Sequence, residues 1–357
     1  MEERFKSTKN QKLQNAYGMW ASKIDNKQII AICLYDPEHE MAAFFGISAL
    51  GKQVCIVSND IMKNLDKRFT ALTEKKAPSS CLMPTGKPNS FITFTSGSTN
   101  NPKAILRSQK SWIYSFKKNG VLKNDTVAVL GNLSHSLALY AATEAMHIEA
   151  DLIFTGLRPK GQPTVIYATP TLLKLIYKND SIYPIVRKIF IGGGVFNEAD
   201  RMFCNHRFPN AEIKVFYGTA ETSFITVSDD KTPPNSVGRA YEGVEIEIKN
   251  EAVFIKSPMI AENYLDNQIL MDVNIYFPTG ELGRVDNNGF LFLKGRLDRA
   301  VNISDKIIYL DVLEDDLLSL PGIEYAAVIA LPNSKRGQKV FAAVYGNNAS
   351  HNQISEI

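Results

Sequence analysis

Cysteine, charge imbalance and long apolar runs are all scarce in this chain, and each scarcity removes a class of answers. Its 357 residues include only 4 cysteines, Cys33, Cys55, Cys81 and Cys204, which show neither Cys-x-x-Cys spacing nor the density of a disulfide-stapled scaffold. Cys33 and Cys55 fall inside apolar, strand-like runs and read as small buried hydrophobes in a reducing compartment. A net charge of +3 is too small to draw in nucleic acid or an anionic membrane surface. No uninterrupted apolar stretch approaches the ~20 residues needed to span a bilayer, and the polar, basic start leads into no signal-like region. Repeats and low-complexity segments are missing too. What remains is a soluble, cytoplasmic protein with 45% hydrophobic and 22% charged residues, long enough to bury a large core in two or more structural units.

Hydrophobic patterning supplies the fold class. The run 28–35 is β-rich, 38–50 has helical spacing through Met41, Phe44, Phe45 and Ile47, and 54–57 reads as another strand. A β-α-β succession requires parallel strands joined by a crossover helix. Strand-like runs at 91–95, 126–130, 152–154, 164–168 and 188–191 alternate with helical candidates at 111–118, 137–148, 171–177 and 198–206, so the first two-thirds is α/β. From Val244 the texture changes to alternating strands and turns, which predicts an antiparallel, barrel-like section. After Asp298 a helix at 312–320, a Pro321-Gly322 turn and strands near 325–330 and 340–345 predict a further α+β unit.

Short polar blocks punctuate this pattern. The strand ending at Phe94 delivers the chain into Thr95, Ser96, Gly97, Ser98 and Thr99, whose backbone N–H groups and hydroxyls can cradle an anion, with Lys103 adding a positive charge at the loop's end. The Gly-Lys-Ser/Thr ending of a Walker A loop is missing. Gly192, Gly193 and Gly194 end another strand and would let a planar ligand lie on bare backbone, or they form a simple turn. Tyr217, Gly218 and Thr219 then close a strand with a ring able to stack on a base, and Glu221 offers a hard oxygen ligand for Mg²⁺. Glu281, in Thr279-Gly280-Glu281, and Arg296, in Gly295-Arg296-Leu297-Asp298, flank a strand pair that can bring an acid and a guanidinium together. His135 stands before the helical stretch 137–148, as a core or capping residue or as part of a site.

Taken in order, these blocks resemble the adenylate-forming superfamily of acyl-CoA synthetases, peptide synthetase adenylation domains and luciferases, over about residues 27–346. The likeness is greatest to the acyl-CoA and O-succinylbenzoate-CoA ligases. It implies an N-terminal AMP-binding domain at 1–297 and an incomplete C-terminal lid domain at 298–357, with Asp298 as the hinge. It further implies that ATP and Mg²⁺ are used to activate a carboxylic acid, for transfer to the thiol of CoA or of a carrier protein. By the same resemblance, the loop 95–99 and Lys103 bind phosphates, Gly192 to Gly194 and Tyr217 to Thr219 line the adenine pocket, and Glu221 holds the metal. Glu281 and Arg296 hold the ribose, and His135 gates the acyl pocket; Leu137, Tyr140, Ala141 and Glu144 offer further lining, or that helix face is equally core.

The chain departs from the family's pattern at Asn100, where Gly is usual, at Ala220, where a hydroxyl residue is usual, at Glu281, where Asp is usual, and at Asp305, near which Gly is expected. The lysine that the family supplies from the lid would lie beyond Ile357. These departures fall on chemistry and raise alternatives to full catalysis: a member that binds nucleotide or acyl-adenylate without turnover and serves as a partner or regulatory subunit, or a split enzyme completed by a second polypeptide.

Overall fold

The computed structural model describes residues 17, 21–23, 29–65, 68–73, 90–95, 103–156, 158–265, 272–303, 306–333 and 337–346. Ser96, Gly97, Ser98, Thr99 and Asn100 of the expected phosphate loop lie outside the described residues, as do Asp305, Cys81 and the residues after Gly346.

The first unit is β1 (Ile29–Cys33), α1 (Pro37–Ser48) and β2 (Val54–Ile56), with Ile30 opposite Val54 in a parallel pair. Helix α1 begins where Asp36 accepts from the Glu38 amide and Pro37 occupies the first turn. Met41, Ala42, Ala43, Phe44 and Ile47 are all buried, so this helix lies within the core rather than upon it. After α2 (Asn59–Lys63), β3 (Phe69–Thr73) pairs in parallel on the other side of β1. Strands β4 (Ser90–Phe94) and β5 (Ala104–Ser108) are antiparallel, and the hydroxyl-rich loop connects them. The ends of that loop are tied together: Thr95 N donates to Lys103 O at 3.1 Å, and Lys103 N donates to Thr95 Oγ1 at 3.0 Å.

Helix α3 (Gln109–Asn119) leads into a 7-stranded sheet with order β12-β11-β10-β9-β8-β6-β7. Its parallel members are β6 (Thr126–Leu130), β7 (Asp151–Thr155), β8 (Val165–Ala168), β9 (Lys188–Ile191) and β10 (Glu212–Thr219). Between them run α4 (Ser136–Ile148), α5 (Pro170–Ile176) and α6 (Glu198–Arg207). The continuous burial of β8 and of Val127 to Leu130 is that of strands covered on both faces. Strand β11 (Ser223–Ser228) turns back antiparallel to β10, and β12 (Arg239–Ala240) follows it.

The expected change of texture is present as a 4-stranded antiparallel sheet of β13 (Glu245–Lys249), β14 (Ala252–Lys256), β16 (Phe277–Val285) and β17 (Leu291–Arg296). The short β15 (Asn263–Tyr264) leaves this sheet and pairs with β5, Asn263 opposite Leu106. Beyond a 3₁₀ turn at Leu297–Arg299 come β18 (Ala300–Ile303), β19 (Lys306–Tyr309), α7 (Leu310–Ser319) and the hairpin β20 (Tyr325–Asn333) and β21 (Gly337–Tyr345). Leu310, Leu317, Ile323 and Val328 form a small core of their own there. Among the described residues no helix is long and apolar enough to cross a membrane, and Cys33, Cys55 and Cys204 form no disulfide.

A polar node sits inside the main core. Asn119 Nδ2 donates to Glu144 Oε1 at 2.9 Å and to Tyr140 Oη at 2.8 Å, Tyr241 Oη donates to Asn119 Oδ1 at 2.8 Å, and Tyr167 Oη donates to Glu144 Oε2. Burial pushes the Glu144 carboxyl up to about 8, against the opposing pulls of Tyr167, Asn119 and Lys188. Tyr140, Ala141 and Glu144, which the sequence leaves open between pocket lining and core, are core residues, buried to 2%, 0% and 0% exposure. A helix face cannot reveal by periodicity alone whether it lines a cavity or a core.

Candidate active site

The C-terminal ends of β9 and β10 face one region, the place where parallel α/β sheets bind ligands. Past β9, Gly192 N donates to Ala168 O at 3.2 Å, and a methyl on Gly192 would lie 3.5 Å from Phe216 O and 3.7 Å from Leu137 Cδ2. Gly193 (φ 75°) and Gly194 then turn the chain with their backbone exposed. His135 is the residue before α4, exposed, and its side chain makes no capping bond. The packing of Leu137 near Gly192 puts this helix start at the same end of the sheet.

Strand β10 carries a bulge between Tyr217 and Gly218. A Cβ on Gly218 would land 1.7 Å from Ser223 O, so the chain's own return requires glycine here, whatever a ligand would ask. Thr219 is occupied as well: its amide donates to Thr222 Oγ1 at 3.0 Å and the two hydroxyls lie 3.1 Å apart. The Tyr217 ring is half-buried, while its hydroxyl is fully buried with no hydrogen-bond partner among the described residues. Burial and the Glu281 charge raise that hydroxyl far above its ordinary range. Thr279 beside it opposes that rise and donates its own hydroxyl to Val253 O at 2.9 Å.

Glu281 and Arg296 are direct cross-strand partners in β16 and β17. Burial raises the Glu281 carboxyl, Arg296 opposes this, and Asp311 and Asp298 add to it. The Arg296 guanidinium also grips Asp298 with both forks, at 2.9 Å and 3.0 Å. That bond raises Arg296 and holds the Asp298 carboxyl below its usual range. Tyr217, Glu281, Arg296 and Asp298 thus form one electrostatic group.

Glu221 heads a second group, four residues along the turn from Tyr217. Tyr264 Oη donates to Glu221 Oε1 at 2.7 Å, and the Lys103 ammonium stands 5.6 Å from the centre of the Tyr264 ring. The residue beneath them is Arg107, which the sequence presents only as part of the phrase after Lys103. It is 0% exposed. Its Nη1 donates to Met259 O at 2.7 Å and Ser111 Oγ at 3.1 Å, and its Nη2 to Ala220 O at 2.5 Å and Glu221 O at 3.1 Å. Burial lowers this guanidinium, and Glu221 pulls it back up. A charged residue in the middle of a short strand was the only available signal for it.

Among the described residues no cluster of three or more His, Cys, Asp or Glu side chains can hold a metal. Among the described residues Glu221 supplies the carboxylate here, with Tyr264 linking it to the Lys103 ammonium. Such a donor set fits Mg²⁺ completed by phosphate oxygens and water, and does not fit a metal caged by protein. The arrangement offers the Tyr217 ring beside the Glu281–Arg296 pair, and the Glu221 carboxylate with Tyr264 and Lys103 at the other end of the turn.

The profile of the AMP-binding enzyme family matches residues 47–265. VraA of Staphylococcus haemolyticus, provisionally assigned as a long chain fatty acid-CoA ligase, is 30% identical over 276 residues, covering 72% of this chain and 59% of the relative. YhfT of Bacillus subtilis, an uncharacterised acyl-CoA ligase, is 29% identical with the same 72% and 59% coverage. The chain therefore spans about three-fifths of the length of these curated relatives. Among solved structures, the Bacillus subtilis o-succinylbenzoate CoA synthetase MenE, in complex with its acyl-adenylate intermediate, superposes with a TM-score of 0.81 at 18% identity, covering 98% of this chain and 84% of that one. ATP-bound MatB from Rhodopseudomonas palustris superposes with a TM-score of 0.77 at 16% identity, covering 96% and 84%. These structures share the fold.

Proposed function

The chain belongs to the AMP-binding enzyme family, and from that membership we propose that it is an AMP-forming ligase, which uses MgATP to convert a carboxylic acid into an acyl-adenylate and passes the acyl group to CoA. The observation that carries this reading is the convergence on the turn 217–221 of a nucleoside-type group (Tyr217, Glu281, Arg296) and a phosphate-type group (Thr95, Lys103, Glu221).

In this reading the adenine lies between the exposed backbone of Gly193 and Gly194 and the Tyr217 ring. Glu281 and Arg296 take the ribose hydroxyls, the extra methylene of Glu281 changing the angle of approach but not the charge. The tied ends of the 95–103 loop, with Lys103, receive the β- and γ-phosphates. Mg²⁺ held through Glu221 would supply charge neutralisation on the phosphate oxygens. A carboxylate oxygen of the acid attacks the α-phosphorus in line, the bond to the β-phosphate breaks, and pyrophosphate departs with the electron pair. The chain's contribution is alignment and the Lys103 charge. A thiolate then attacks the acyl carbon and AMP leaves, with Asp298 as the hinge of a lid at 298–357. The acid would be hydrophobic and of small to medium size, entering past His135, and the protein would work in the cytoplasm.

ATP–pyrophosphate exchange with a panel of hydrophobic acids tests this. Acid-dependent exchange that requires Mg²⁺ and disappears in Lys103→Ala is the expected result. No exchange with any acid, together with no MgATP binding by calorimetry, would refute the reading.

A further inference from the structure

The turn between β10 and β11 is short: residues 220–222 lie outside both strands, between the paired Thr219 and Ser223. Its carbonyls nevertheless point inward. Those of Ala220 and Glu221 accept from Arg107 Nη2, and Glu221 O also accepts from Ala261 N at 2.8 Å. Buried carbonyls left without donors are costly, so this turn has its observed shape because a buried donor fork fills it. No neutral side chain offers as many donors in one plane.

The fork is itself immobilised. Nη1 is held by Met259 O and Ser111 Oγ, and the guanidinium lies 5.6 Å from the Trp112 ring centre. Trp112 Nε1 in turn donates to Ser223 Oγ at 3.0 Å, at the far end of the same turn. Ser223 has φ 58°, a left-handed conformation that the surrounding bonds must sustain. One oxygen of the Glu221 side chain is fixed separately by Tyr264 Oη, and among the described residues the other takes no hydrogen bond.

We propose that Arg107 and Tyr264 are positioning residues for Glu221, Arg107 setting the backbone of the 219–223 turn through its carbonyls and Tyr264 orienting the carboxylate that receives the divalent cation. The proposal rests on Glu221 being a metal ligand. Arg107 reaches across 113 and 152 residues of sequence to do this.

The test is equilibrium ATP binding measured with and without Mg²⁺ in wild type, Arg107→Lys, Tyr264→Phe and Glu221→Gln, with thermal midpoints alongside. Lysine keeps the charge and loses the fork; phenylalanine keeps the ring and loses one hydroxyl. Each is expected to raise the Mg²⁺ concentration for half-maximal binding about tenfold, as for loss of a charge-assisted hydrogen bond, while metal-free ATP binding stays at the wild-type level. A merely structural role would lower binding equally with and without the metal, and that result overturns the proposal. If Glu221→Gln shifts the Mg²⁺ dependence but neither Arg107→Lys nor Tyr264→Phe does, positioning fails alone. If Glu221→Gln also leaves it unchanged, the metal assignment falls and takes the proposal with it. Should Arg107→Lys not fold, Tyr264→Phe and Ser111→Ala, which removes a single anchor of the fork, decide the matter by the same readout.

Discussion

At the scale of single residues, burial and partners settle what each side chain does. Glu144 has a carboxyl raised from 4.5 to about 8, so the folded chain binds a proton that the unfolded chain has lost throughout that window. The sign follows from linkage: the stabilisation is full below pH 4.5 and is lost as pH rises through about 8. Glu144→Gln keeps a neutral partner for Asn119 and Tyr167 and removes the titration. Urea unfolding from pH 5 to 8 should show wild-type stability falling relative to the variant by up to about 1.4 kcal/mol per pH unit, and parallel profiles would contradict the assignment. Tyr217, Glu281 and Arg296 were legible in the sequence because glycines and strand ends mark them. Arg107 was not, because nothing nearby in sequence announces partners 113 and 152 positions away. For Glu144 the sequence left pocket lining and core both open, and the structure decides for core, where Asn119, from the preceding helix, satisfies it.

At the scale of elements, periodicity located most long apolar strands and their helices, including β6, β9, α4 and α6. It passed over β3, β5, β11, β12, β15, β18 and β19. Strand β15 covers only Asn263–Tyr264, too short for any alternation to register, and β5 reads as the tail of the hydroxyl-rich loop. These omitted pieces matter for the site: β5 carries Arg107, β15 carries Tyr264, and the two are paired, Ile105 opposite Tyr264. The bulge in β10 shows the same division. Its glycine is visible in sequence, yet the reason for Gly218 is the return of β11, with Ser223 O placed 1.7 Å from where a Cβ would be. Gly218→Ala should accordingly cost about 3 kcal/mol of stability through forced backbone movement, read as a lower midpoint in denaturant. A variant as stable as wild type that lost only nucleotide binding would place the glycine's role in the ligand instead.

For the whole molecule, the sequence texture correctly divided parallel α/β from antiparallel β, because strands buried on both faces and strands buried on one face demand different residue patterns. It could not state which ends of which sheets meet, since that depends on contacts between residues far apart in sequence, such as that of the Arg107 guanidinium with the Met259 carbonyl. The site proposed above therefore has a polarity, with the nucleoside assigned to Tyr217, Glu281 and Arg296 and the triphosphate tail to Lys103 and Glu221. The most direct measurement is calorimetric binding of AMP and of MgATP to wild type, Glu281→Ala and Lys103→Ala. Glu281→Ala should weaken both ligands alike, by about tenfold, and Lys103→Ala should weaken MgATP while leaving AMP unchanged. Equal losses for both ligands in Lys103→Ala, or full binding of both in Glu281→Ala, would contradict a single pocket oriented in this way.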